Sequence, residues 1–243
     1  MTSELCAYSI AACRMAAAAG VNRVELCAAP SEGGTTPSAA TIEMAREVEH
    51  LSLSVMIRPR GGDFLYTDEE FEQMRRDTLF ARRAGADSVV IGLLTADGMI
   101  DTVRTAALVE IAAPMKVTFH RAVDLTRDYL HAVEQIIACG CHRILTSGAE
   151  STAAKGIDNL RRAVETADGR IEIMAGCGVN PSNVGLIAAT GIDALHFSAR
   201  RAVESAMRYR REGVNMGAAV DEYALAEADP ATIREIINKI KEL

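Results

Sequence analysis

No tryptophan occurs among the 243 residues, and there are only five phenylalanines and five tyrosines. So few rings argue against large aromatic binding faces and favour tightly packed aliphatic layers. A positive excess is missing as well: 26 Lys and Arg stand against 33 Asp and Glu, a net charge of −7. Without a basic arm or aromatic–basic interleaving, a general nucleic-acid surface is excluded. The cysteines at 6, 13, 27, 139, 141 and 177 form no Cys-x-x-Cys pair and no zinc-finger spacing. Free thiols without a secretory signal point to the reducing cytoplasm. The apolar stretch Met15–Ala19 has no basic region before it, the first basic side chain being Arg14, so a signal peptide is not expected. No run approaches about 18 uninterrupted apolar residues, and no membrane span is expected.

What is present is a repeated unit. Short apolar, β-branched runs recur near Leu5–Tyr8, Arg23–Cys27, Leu53–Arg58, Ser88–Leu93, Lys116–Arg121, Arg143–Ser147, Ile171–Ala175 and Ala194–Ser198. Helical patterns with their own stop and start signals follow most of them. Thr36-Pro37 reads as a helix start before Ala40–Val48, Thr67 with Glu70 as a capping box, and Asn180-Pro181 as a cap. Gly85, Gly140 and Gly191 sit where helices should stop. Eight strand–helix units in one domain-sized chain predict an α/β fold, a single (β/α)8 TIM barrel spanning residues 1–243. A long loop is expected at about 200–228 before a last helix that begins at Asp229-Pro230.

Active sites of such barrels lie at the C-terminal ends of the strands. Late in these runs, or just beyond them, stand Glu25, Cys27, Arg58, Arg60, His120, Arg121, Ser147, His196 and Ser198. The early positions are largely apolar or read as plain charged caps. Arg58 and Arg60 are two apart, so in a strand they emerge from one face. Pro59 biases Arg58 toward an extended conformation, and Gly61-Gly62 then permits a turn that brings Asp63 near both cations. That pattern reads as an anion clamp. His120 and His196 are candidate acid–base groups with Glu25, because an imidazole titrates near neutral pH. His120 is expected to point inward with Thr118, and Arg121 to reach Asp124. Gly176 and Gly178 in the loop after strand 7 would let a phosphate approach the backbone, helped by Arg208 from the long loop, where Gly213 and Gly217 allow bending.

Cys6 and Cys27 fall on neighbouring strands, and Cys27 shares the facing of Glu25. Two such thiolates could hold Cu(I), a soft ion that favours sulfur, or could pack as small hydrophobes. Cys139 and Cys141 sit at a helix C-terminus on the opposite end and read as packing.

Met56-Ile-Arg-Pro-Arg-Gly-Gly-Asp-Phe64 resembles the signature of the CutC family, named for copper homeostasis. Val24–Cys27, Glu32–Pro37, Val117–Ala122, Ile144–Gly148 and Met207–Arg210 resemble further blocks of that family, in the same order. The resemblance runs from about residue 4 into the 210s. It implies copper binding, with copper(I) as the metal and Cys6 and Cys27 as its ligands, in a cytoplasmic protein. A homo-oligomer is also expected. The alternative is a barrel enzyme acting on a small anionic metabolite, phosphorylated or carboxylated, with Glu25 and His120 in acid–base roles.

Overall fold

A computed structural model describes residues 1–211, 213–214 and 221–243. The first half alternates β1 (Thr2–Ala7), α1 (Ile10–Ala19), β2 (Arg23–Leu26), α2 (Ala39–Arg46), β3 (Ser52–Met56), α3 (Asp68–Arg83), β4 (Ser88–Ile91) and α4 (Thr102–Ala112). The second half continues β5 (Lys116–Phe119), α5 (Tyr129–Ala138), β6 (Arg143–Thr146), α6 (Ile157–Ala167), β7 (Glu172–Ala175), α7 (Val184–Ala188) and β8 (Ala194–Phe197). All eight strands pair in parallel, β1 closing on β8, to form the expected (β/α)8 barrel. No helix among the described residues is long and apolar enough to cross a membrane.

Two local expectations shift. α2 is capped by Ser38 rather than Thr36, because the Thr36 hydroxyl is taken: it accepts from Arg58 N–H at 2.9 Å. α7 is capped at Asn183 rather than at Asn180, whose side chain instead closes a turn onto Ser182. The Thr67–Glu70 capping box and the Asp229 cap of α8 (Pro230–Lys241) form as the sequence suggests.

The long segment after β8 is not a plain loop. β9 (Arg200–Glu204) pairs antiparallel with β10 (Ala224–Ala228), making a two-stranded ribbon before α8. Gly213 takes a left-handed turn with φ 70°. Gly217 lies outside the described residues.

Strand side chains alternate between two very different environments. Leu5, Leu53, Val55, Val89, Val117, Ile144, Ile173 and Leu195 point outward and pack against the helices in one aliphatic core. The aliphatic layers expected from composition are therefore here, between sheet and helices. The barrel's interior is mixed, with Leu145, Met174 and Ala194 forming a small apolar cluster beside a set of charged groups. Glu4, Arg23, Arg143 and Glu172, charged residues that read as caps from the sequence, form a buried ladder across β1, β2, β6 and β7. Arg23 pairs with Glu4 and, at 3.1 Å, with Glu172; Arg143 pairs with Glu172 at 2.7 Å and donates to Thr118 at 2.8 Å. Buried charges persist only when paired, since desolvation of a lone ion costs several kcal/mol. Each rung here has its counter-ion.

Candidate functional site

The ladder's upper end meets the mouth. Glu4 aligns across β1 and β8 with His196, and Cys6 aligns across β1 and β2 with Glu25. Above them opens a cavity of about 370 Å³, lined among others by Cys6, Tyr8, Glu25, Arg58, Phe64, His120, Arg121, Cys177, Gly178, His196, Ser198 and Arg200.

Its floor is a compact group of buried ligating atoms. Cys6 Sγ lies 4.0 Å from Cys27 Sγ, and Cys27 Sγ lies 3.5 Å from Glu25 Oε2. Cys6, Glu25 and His196 each offer one atom within 4.8 Å of the others. His196 Nδ1 sits 2.9 Å from Glu4 Oε1, and its Nε2 lies 3.7 Å from Glu25 Oε2. Met56, Val90 and Tyr8 wrap the two cysteines in apolar surface.

Enclosure polarises these groups. The hydrogen bond with Cys27 holds the Cys6 thiol well below its ordinary value, against burial and with help from His196. Burial drives Cys27 the other way, reinforced by Cys6 and Glu25. The two thiols thus divide into one proton-poor and one proton-rich sulfur. Burial would depress His196, but the Glu25 carboxylate, Cys6 and Glu4 outweigh it and raise the imidazole well above its usual range. Burial raises Glu25 despite His196 nearby. Glu4 resists burial through its bond to His196 and the charge of Arg23, and falls to about 2.

His120 behaves differently from the acid–base group its type suggested. Burial, then the charge of Arg58, lowers it to about 3. Its Nδ1 accepts the Ala122 N–H at 3.1 Å, so the ring proton sits on Nε2, which is buried without a partner. At neutral pH this imidazole can donate and cannot serve as a base through Nδ1. Gly92 makes its place: a Cβ there would lie 2.2 Å from His120 Cε1.

The two arginines expected to act together are separated. Neither lies in a strand, since β3 ends at Met56. Arg58 is buried and spends its guanidinium on the carbonyls of Glu32, Gly34 and Gly62 at 2.6–2.9 Å, pinning the loops of β2 and β3. Arg60 faces away from the cavity, paired with Glu70 at 2.5 Å and Asp63 at 3.1 Å and lying over Tyr66. Arg60 and Asp63 therefore form no clamp with Arg58.

Arg121 does reach Asp124 at 2.8 Å and also donates to Ser147, whose backbone and hydroxyl bind Asp124 as well. Ser147 is fully buried in that bracket and does not line the cavity. Gly176 is likewise beneath the surface, where a Cβ would strike Leu145 at 2.6 Å. Ser198 and Gly178 line the opening; Arg208 does not, and Arg200 on β9 takes the position expected of it. Glu4, Tyr8, Phe64, Cys177 and Arg200 are site residues that the sequence reading missed. Left-handed backbone at Ala29, Ala149, Cys177 and Ala199, after β2, β6, β7 and β8, marks the same end of the barrel. Non-glycine residues held in that region concentrate where function over-determines the backbone.

Residues 1–201 match the model of the CutC family. A CutC family protein of Chromobacterium violaceum is 51% identical over 235 residues, covering 96% of this chain and 95% of its own. The chain belongs to the CutC family. A human protein described as a copper homeostasis protein cutC homolog is 40% identical over 236 residues, 96% of this chain and 86% of its own. Among solved structures, one described as a copper homeostasis protein CutC of Streptococcus agalactiae superposes with a TM-score of 0.78 at 35% identity, covering 82% of this chain and 98% of that one. The match to the CutC family model ends at residue 201, two residues into β9, so the rest of the ribbon and α8 of this chain lie beyond it.

Proposed function

We propose that this CutC chain binds Cu(I) at the floor of its barrel mouth and serves copper homeostasis in the cytoplasm. The observation that carries this reading is the buried pair of sulfurs 4.0 Å apart. Two sulfurs bound to one ion at about 2.2–2.3 Å each can stand no more than about 4.5 Å apart. Cys6 and Cys27 are within that span without movement of the backbone. Soft sulfur ligands select Cu(I) over the harder divalent ions. Cys6, held well below the ordinary thiol value by its bond with Cys27, gives up its proton more readily than a free thiol, as a metal ligand must.

His196 is the third donor in this reading. It lies with Cys6 inside the 4.8 Å group, and its far nitrogen is held by a carboxylate, the arrangement that orients metal-ligating imidazoles. Glu25, whose Oε2 lies 3.7 Å from His196 Nε2 and 3.5 Å from Cys27 Sγ, closes the fourth side. Cys6 belongs to both the sulfur pair and the Cys–Glu–His group, so it is the central ligand.

The test is competition for Cu(I) against a chromophoric Cu(I) chelator under reducing, anaerobic conditions. The wild-type chain should withdraw one equivalent, and the Cys6→Ser, Cys27→Ser double variant none. Equal withdrawal by both would assign the thiols to packing. Homo-oligomerisation belongs to the same proposal and is read by sedimentation velocity.

A further inference from the structure

The loop after β7 is tied down from one side only. The Cys177 carbonyl accepts from Ala153 N–H at 3.0 Å, and the Gly178 carbonyl accepts from the side-chain amides of Asn180 and Asn183 at 3.1 and 2.9 Å. In a trans peptide the N–H points opposite to the carbonyl of the preceding residue. The N–H groups of Gly178 and Val179 are therefore turned away from those tethers. Neither has a hydrogen-bond partner among the described residues, and both residues line the mouth cavity. Left-handed backbone at Cys177 and Gly178, φ 79° and 71°, makes a turn at this stretch, and turns with successive free N–H groups are the kind of backbone that receives anions.

A cation borders the same cavity. Arg200 lies over the Tyr8 ring at 5.2 Å and pairs with no carboxylate among the described residues, unlike Arg121, which is held by Asp124. Deeper in the cavity wall are two buried polar atoms without partners, Nε2 of His120 and Oε1 of Glu25. Unpaired groups of this kind cost free energy unless something meets them. A volume of about 370 Å³ is at the small end for ligand pockets, the size of a short metabolite.

We propose that the cavity above the thiols is a binding site for a short, oxygen-rich phosphomonoester. The phosphate sits on the N–H groups of Gly178 and Val179 beside Arg200. A carbonyl or hydroxyl at the far end accepts from His120 Nε2–H, and a further hydroxyl donates to Glu25 Oε1. Loops after the seventh and eighth strands supply phosphate sites in many barrels; here one contributes the N–H pair and the other leads into Arg200. No copper is needed for it.

The experiment is 31P NMR of glycerol 3-phosphate titrated with the full chain, with a Cu(I) chelator in excess so that copper occupancy plays no part. The expected result is saturable broadening of the phosphorus line, reversed by inorganic phosphate and not by acetate. Arg200→Gln should weaken binding roughly tenfold, the loss of one charged hydrogen bond. Val179→Pro, which deletes one N–H, should weaken it by a similar factor. Thermal melts by circular dichroism confirm folding, and if Val179→Pro fails to fold, the exposed Arg200→Gln decides. No broadening up to about 10 mM glycerol 3-phosphate, an affinity weaker than any metabolite site needs, would overturn the proposal. So would unchanged affinity in Arg200→Gln, or acetate competing as well as phosphate.

Discussion

Glu4 Oε1 accepts the Nδ1 proton of His196 at 2.9 Å while the other oxygen of the same carboxylate holds Arg23. One buried carboxylate therefore joins the ion ladder inside the barrel to the imidazole that faces the thiols. It fixes which nitrogen of His196 is turned toward Cys6 and Glu25.

Replacing Glu4 by Gln should act at both ends of that link. Arg23 would keep only Glu172, and the lost buried partner should destabilise the fold by about 3–5 kcal/mol. Cu(I) affinity should fall about 10- to 100-fold as His196 loses its orientation. Urea unfolding reads the first effect and chelator competition the second; an unaltered Cu(I) affinity would show that His196 is not a ligand.

The two cysteines should not be equivalent. Cys6 stands in both the sulfur pair and the Cys–Glu–His group, whereas Cys27 stands in the pair alone. Cys6→Ser is expected to abolish Cu(I) capture, and Cys27→Ser to leave a weaker site supported by His196. Chelator competition on the two single variants checks the order. A stronger site in Cys6→Ser than in Cys27→Ser reverses the assignment.

The arginines at 58 and 60 look alike in sequence and should differ sharply in effect. Arg58→Ala removes a buried guanidinium from three carbonyls and should cost on the order of 3 kcal/mol. Arg60 is more than a third exposed, and its ion pairs are screened, so Arg60→Ala should cost about 1 kcal/mol or less. Chemical denaturation of both variants makes the comparison; equal losses would contradict it.

Acid should unfold the protein in two overlapping steps. Glu4 has its pKa lowered to about 2, so its contribution is present above its ordinary value of 4.5 and is lost as the pH falls from there toward 2. It is on the order of 3 kcal/mol. His120 is held neutral by burial, with a pKa of about 3, so its share is present above 6.5 and declines as the pH falls through that interval. His196 is raised and runs oppositely: its share is full below 6.5 and fades as the pH climbs through its folded value. Glu25, raised by burial, opposes His120 in the upper interval because the folded state holds its proton more tightly. Urea midpoints should therefore fall most clearly from pH 4.5 down to pH 3, where Glu4 and His120 act together, and His120→Gln should lessen that fall. Constant midpoints across that range would refute both assignments.

Much of this architecture is legible in the residue order. The eight strands show because β-branched runs and helix-ending glycines punctuate the chain, and the facing of Cys27 follows from period-two geometry with Glu25. The inner ladder does not show, because a charged residue at the start of a strand looks the same whether it caps the strand or points into the lumen. Which it does at Arg23 and Arg143 depends on partners 149 and 29 positions away in Glu172. Arg60 misled for a related reason: strand parity stops applying once β3 ends at Met56. Arg200 escaped notice because it lies past the last barrel strand, where only the pairing of β9 with β10 gives it a fixed place.

On the proposed reading, the unequal thiols would make copper capture an exchange of cations. An empty site with one proton-poor and one proton-rich sulfur has the same charge as Cu(I) held by two thiolates, provided a single proton leaves from Cys27 as the metal enters. If the imidazolium of His196 also becomes a ligand, a second proton must leave, because a protonated ring nitrogen cannot bind a metal. Calorimetry in buffers of different ionisation heats counts those protons, and repeating it in Glu25→Gln removes any proton that Glu25 itself gives up. The remaining release of one or two per copper then separates a two-sulfur site from one that also takes His196.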